Sequence, residues 1–285
     1  MKKYYTLLLL LIPLVQLQAQ REYLPTEEDL QHFHTTKTYV VLESNAISDY
    51  NIEIQDAVKK FWNITEYEFL PMQEFAEKSR DENASFLYLA GVSFEKDRSN
   101  ARYRFLCLSL GGDRVSLDDL KDVANIPMSY FGVDGDHYAY KLGIMIRFLQ
   151  YHVNLITEHP EIVDANVYNY YNKNMADLQG KTLYLVQEEL APEVSSEARI
   201  RAVYPGRVKL VDRETIKQLI MDEDEDAVIL HKVGPEGKKL KARVYKILIG
   251  AADAQFYYFD YHKVTDKKPD AFLESDFKKL GRATN

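Results

Sequence analysis

One pattern of elements occurs twice in this chain, and it restricts the fold more than any other feature. Lys37-Thr38-Tyr39-Val40-Val41-Leu42 resembles Lys181-Thr182-Leu183-Tyr184-Leu185-Val186, and both runs are rich in strand formers. A helical stretch follows each. Tyr50 to Trp62 carries apolar Ile54, Val58, Phe61 and Trp62; Ser196 to Tyr204 carries Ile200, Val203 and Tyr204. Short strands come next, Tyr67 to Pro71 and Val208 to Asp212. Helices at Met72 to Lys78 and Arg213 to Met221 follow, the second opened by Asp212 as N-cap. Ala84 to Leu89 then matches Glu225 to Leu230, and Tyr103 to Leu110 matches Tyr245 to Ile249. The expected fold class is α/β: two similar tandem α/β domains, each strand-helix-strand-helix-strand-strand, with parallel pairing inside each half through right-handed crossovers. In the second half Gly234-Pro235-Glu236-Gly237 signals a turn. A further strand is predicted at Gln255 to Val264, and a closing helix at Asp270 to Leu280 stopped by Gly281.

A helical segment is predicted between the halves. Ser116-Leu117-Asp118-Asp119 reads as a capping box. From His137 to Glu158, Tyr138, Leu142, Met145, Ile146, Leu149, Val153 and Ile156 form one apolar stripe. Pro160 suits the first turn of another helix running to about Asn172. The boundary falls at Asp177 to Gly180, which gives domains over 21–180 and 181–285.

The first twenty residues read as a secretory signal peptide. Lys2 and Lys3 precede the apolar run Leu7 to Val15, and a cut is expected after Ala19 or Gln20. The run is too short for a bilayer, which needs about 20 apolar residues. The mature chain is therefore expected in the periplasm or secreted. No Cys stands at the end of the leader for a lipid anchor, and no later run is long enough to be a transmembrane segment. Without Lys2 and Lys3 the 36 basic residues fall to 34 against 44 acidic ones, a net charge of −10. That balance opposes phosphate backbones, so nucleic acid is not an expected partner. The lone cysteine, Cys107, lies in an apolar strand-like run and reads as a small core hydrophobe.

Few residues group in a way that carries chemistry. His32-Phe33-His34 would put both rings on one side of a strand. Asp134-Gly135-Asp136-His137 offers oxygens at a helix start, where a hard cation could sit, although the twelve-residue calcium loop is not met; the plainer reading makes Asp136 a helix cap. The acidic run Asp222 to Asp226 reads as a solvated loop, and the basic run Lys238 to Arg243 as the start of a half-exposed strand. Tyr168, Tyr170 and Tyr171 could form a glycan or peptide platform, with Tyr168 and Tyr171 on one helix face. No phosphate-binding glycine loop follows either first strand; Glu43 and Glu188-Glu189 stand there and would repel phosphate. GxSxG, HExxH and CxxC are all absent. No catalytic residue, metal ligand or cofactor is assigned. The binding candidates are Tyr168, Tyr171, Asp134, Asp136 and His137.

The run Val208-Lys209-Leu210-Val211-Asp212-Arg213-Glu214-Thr215-Ile216, with Ala227-Val228-Ile229-Leu230 after it, resembles the small α/β domain of envelope assembly proteins of the CsgG, LpoB and TolB N-terminal type. The resemblance covers roughly Arg199 to Ile249 and implies a partner-binding domain without catalysis. The lipidated Cys of the first two and any propeller or pore-forming hairpin are missing here. The leading expectation is an exported, non-enzymatic adaptor for an envelope protein or another envelope component. The alternative is a periplasmic small-ligand binder with a cleft between two lobes. A metal-dependent hydrolase using Asp134, Asp136 or His137 stands third.

Overall fold

The computed structural model describes residues 24–94, 99–113, 120–163, 167–236 and 241–284. The leader, the Ser116–Asp119 capping box, and Gly237 to Leu240, which close the turn signal and open the basic run, lie outside the described residues. The first half runs α1 (Glu27–Phe33), β1 (Lys37–Leu42), α2 (Asp49–Phe61), β2 (Glu66–Pro71), α3 (Met72–Lys78), β3 (Ala84–Ser93), β4 (Arg102–Leu110) and β5 (Lys121–Tyr130). The link is α4 (Leu142–Glu158), α5 (Val167–Tyr171) and a 3₁₀ segment, Asn172–Leu178. The second half runs β6 (Thr182–Leu185), α6 (Glu197–Arg201), β7 (Arg207–Leu210), α7 (Arg213–Met221), β8 (Ala227–Val233), β9 (Arg243–Gly250), β10 (Phe256–Lys263) and α8 (Glu274–Ala283).

The chain is α/β, and its two halves repeat one topology. One sheet is ordered β2-β1-β3-β4-β5 and the other β7-β6-β8-β9-β10. In each, the first three strands pair in parallel and the last two join antiparallel. The pairing register corrects the sequence alignment by one residue at the first strand. Thr38 faces Tyr67 and Leu183 faces Val208, so Thr38 corresponds to Leu183 rather than to Thr182.

Helix α4 lies where the two halves meet. It buries Leu142, Ile144, Met145, Ile146, Phe148, Leu149, Val153 and Ile156, more than one face of a helix. One hydrophobic cluster holds Val40, Leu87 and Ile126 of the first sheet, these α4 side chains, and Ile229, Ile247 and Phe259 of the second. A Cβ on Gly143 would stand 3.0 Å from both Phe61 of α2 and Ile220 of α7, so glycine lets both helices close on α4. Polar clamps fix the same helix. Gln150 donates to Phe61 O at 2.9 Å and accepts from Asn63 N at 2.8 Å, while the Arg147 guanidinium donates to the carbonyls of Ala251 and Ala252. Tyr103 of β4 also bridges to the Arg243 backbone of β9. The boundary near Gly180 therefore divides the sheets but not the core.

Several local expectations change. His32 and Phe33 close α1 and His34 caps its C-terminus, so the two imidazoles share no strand face; they bond Glu82 O and Thr157 instead. Among the described residues Pro160 opens a 3₁₀ turn, Pro160–Ile162, and α5 covers Val167–Tyr171. Gly281 is not a stop: it is a buried residue inside α8, where its missing side chain lets the Pro205 ring approach. Asp212 does cap α7, accepting from Thr215 N at 2.8 Å.

Candidate functional site

A cleft of about 370 Å³ opens where α4 and α5 meet the outer strands β5 and β10 of the two sheets. Helical spacing puts Phe148, His152 and Ile156 on one face of α4, toward the cleft. From α5 come Tyr168 and Tyr171, and from β10 come Phe256 and Phe259. Residues three apart on a regular strand point to opposite faces. A β-bulge between Phe256 and Tyr258 breaks that alternation and returns Phe256 and Phe259 to one side. Phe148 stacks on Phe256 with centroids 3.7 Å apart and planes 10° apart; Tyr168 stacks on Phe259 at 3.9 Å and 11°. Tyr171 meets Phe148 edge-on at 5.8 Å. Such aromatic contacts add about 0.5–1.5 kcal/mol each beyond area burial and hold the wall rigid.

Polar groups at the cleft are few. His152 Nδ1 lies 2.6 Å from the Tyr171 hydroxyl. Burial lowers the His152 pKa to about 4 and raises that of Tyr171, so both are neutral near pH 7. Asp122 stands at the rim, bonded by the Ser109 hydroxyl and by Asn125 Nδ2 at 3.2 Å; burial raises its pKa against those bonds. The outer edge of β10 is closed. Asn172 bonds both backbone groups of Phe259, at 2.9 and 2.7 Å, and Asn174 bonds Phe256 O at 2.9 Å. An added peptide strand finds those groups of the edge taken.

The sequence candidates divide. Tyr168 and Tyr171 both line the cleft, though not as one exposed face: Tyr171 is buried and Tyr168 is 45% exposed. Asp134, Asp136 and His137 lie outside it, in the connection between β5 and α4. Arg213 donates to Asp136 Oδ2 at 2.7 Å and to its carbonyl at 3.2 Å, and its other arm lies 3.2 Å from His137 Nδ1. A guanidinium thus sits where a cation would have to bind. Among the described residues no group of three His, Cys, Asp or Glu side chains could hold a metal ion. Nor does Asp136 cap α4, whose first turn has no side-chain cap.

Sequence reading missed Phe148, His152, Phe256 and Phe259. The signal was the aromatic density of Phe256-Tyr257-Tyr258-Phe259 and the Phe148–His152 spacing on the apolar helix. It also missed a buried ionic junction beside the cores. Lys141 Nζ lies 2.6 Å from Glu189 Oε1, and Lys232 lies 2.9 Å from Asp270 and 3.2 Å from Glu236. No family model, curated protein or solved structure matches the chain. Among the described residues no helix is long and apolar enough to cross a membrane.

Proposed function

We propose that the chain is a non-catalytic binding protein of the cell envelope or exterior, and that the aromatic cleft holds a small apolar ligand. The observation that carries this reading is the cleft itself: about 370 Å³, walled by two stacked aromatic pairs and served by few polar groups. The clamps of Gln150 and Arg147 argue for a preformed site rather than two lobes closing on a ligand. The leader-like first twenty residues support a location outside the cytoplasm. The test is native mass spectrometry of protein purified gently from its host, alongside Val167→Phe, which fills the cleft. A retained small molecule, lost in the filled variant, supports the reading. Retention of nothing, or equal retention by both proteins, refutes it.

A second reading, the adaptor implied by the resemblance, has its own observation. An open groove of about 680 Å³ lies beyond the C-terminal end of β1, with Ile47 82% exposed on its wall. Beside it Phe131 is 46% exposed under the guanidinium groups of Arg102 and Arg104, at 4.4 and 5.4 Å. Exposed apolar groups ringed by charge fit a protein contact. A stoichiometric protein in the same native spectra, lost in Ile47→Asp and Phe131→Asp, would favour this reading over the first.

A further inference from the structure

We infer that the cleft selects a flat apolar ligand bearing a hydrogen-bond acceptor, a carbonyl or ether oxygen, and that His152 Nε2–H donates to it. The inference rests on the cleft being a ligand site. It follows from the hydrogen-bond inventory of one side chain. His152 is half-buried and lines the cleft. Its Nδ1 is committed to the Tyr171 hydroxyl at 2.6 Å. Among the described residues the Tyr171 hydroxyl has no other hydrogen-bond acceptor, so its proton goes to Nδ1. A neutral imidazole that accepts at Nδ1 carries its proton at Nε2. Burial holds the ring neutral, which excludes the doubly protonated form. Nε2 has no protein partner among the described residues. Because His152 lines the cleft, this N–H is the donor its side chain has left to offer a ligand, and a donor left without an acceptor when a ligand displaces water is costly.

The wall sets the rest of the ligand. Phe148 on Phe256 and Tyr168 on Phe259 are nearly coplanar pairs, 10° and 11° between planes. Phe148, Phe256 and Phe259 are buried in these stacks and fix the wall, while the half-exposed Tyr168 ring, held flat on Phe259, suits a planar partner better than a flexible chain.

Two probes separate the inference from the reading beneath it: 2-acetylnaphthalene and its hydrocarbon counterpart 2-isopropenylnaphthalene, titrated by naphthalene fluorescence. The ketone is expected to bind about 3- to 10-fold tighter, the range of one hydrogen bond. His152→Phe should bring that ratio to about 1, the ratio cancelling any change in the wall that affects both probes alike. His152→Gln, which can accept from Tyr171 and still donate, should restore the preference and guards against a folding defect in the first variant. Equal binding of both probes by the native protein overturns the assignment to His152 and leaves the cleft a ligand site. Binding of neither probe overturns both.

Discussion

Replacing Lys141 by Met should destabilise the protein by about 3–5 kcal/mol, the usual cost of leaving one partner of a buried ion pair alone. Lys141 is 1% exposed as a side chain and Glu189 11%, with 2.6 Å between Nζ and Oε1. Burial by itself would favour an uncharged lysine; the Glu189 carboxylate and the Tyr140 hydroxyl outweigh it and hold the Lys141 pKa above the usual lysine value. Without Lys141, Glu189 loses its direct ion pair and keeps only the longer-range attraction of Lys232, and its Oε2 is already without a partner among the described residues. Replacing both residues removes the stranded charge, so Lys141→Met with Glu189→Met should cost much less than the first substitution alone. Lys278–Glu274 gives the control: both side chains are nearly half exposed, and breaking the pair should cost at most about 0.5 kcal/mol. Urea unfolding followed by far-UV circular dichroism, at constant m-value, measures all four proteins. If Lys141→Met costs under about 1 kcal/mol, or the double variant costs as much as the single, the buried-pair account is wrong.

Burial, aided by the Lys141 charge, lowers the His231 pKa to about 3. Its unfolded value is near 6.5, so the unfolded chain binds the proton first: stability should be flat above about pH 6.5 and fall toward pH 3, by at most about 5 kcal/mol from this residue. His231→Gln should flatten that slope in urea midpoints measured across the interval. A Cβ at Gly234 would overlap the Asp270 carboxylate that pairs with Lys232. Gly234→Ala should therefore lower stability by about 2–4 kcal/mol, read by the same unfolding curves. Burial and the neighbouring Asp122 raise the Cys107 pKa well above that of a free thiol, so a charged thiol reagent should react only as fast as the protein opens. Residues 181–284 made alone should lack a cooperative unfolding transition, because Ile229, Ile247 and Phe259 lose the core they share with α4; a sharp two-state curve would disprove the single-core description.

Most of the order of elements was legible because each is locally consistent: strand formers, a cap, an amphipathic run, a turn; α1 was missed, and so was β5, a strand over Lys121–Tyr130 where a short helix opened near Ser116 was expected. Phase was not. Strands β6 and β8 are buried on both faces, β8 at every position, so their side chains carry no alternation to fix register, and matching the Lys-Thr pairs slid one strand by a residue. The shared core had a sequence signal that a single stripe understates. Ile144 and Phe148 fall outside the stripe and still are apolar, as expected of a helix enclosed on several sides. Gly281 shows the opposite difficulty. A glycine near a helix end reads as a stop, and only the approach of Pro205 reveals it as a packing residue.

The cleft could not be read from any one segment, and the reason bears on function. Its walls are joined across about 140 residues, from Asp122 to Phe259: β5 from the first half, α4 and α5 from the link, β10 from the second. Strands β5 and β10 hold equivalent places in the repeat, each the last strand of its sheet. The repeated topology therefore brings two like edges together, and the link fills the angle between them with aromatic rings. The bulge at Phe256–Tyr258 has its counterpart at Asp122–Ala124 in β5, and only in the second edge does it bring two rings to one side. The segment proposed to resemble envelope assembly domains, roughly Arg199 to Ile249, does not include Phe256, Phe259, His152 or either tyrosine. The cleft does not depend on that proposal, since neither half alone supplies its lining. The binding activity proposed for this chain belongs to the junction, and substitutions in α4 or β10 should alter it while leaving the groove at Ile47 and Phe131 intact.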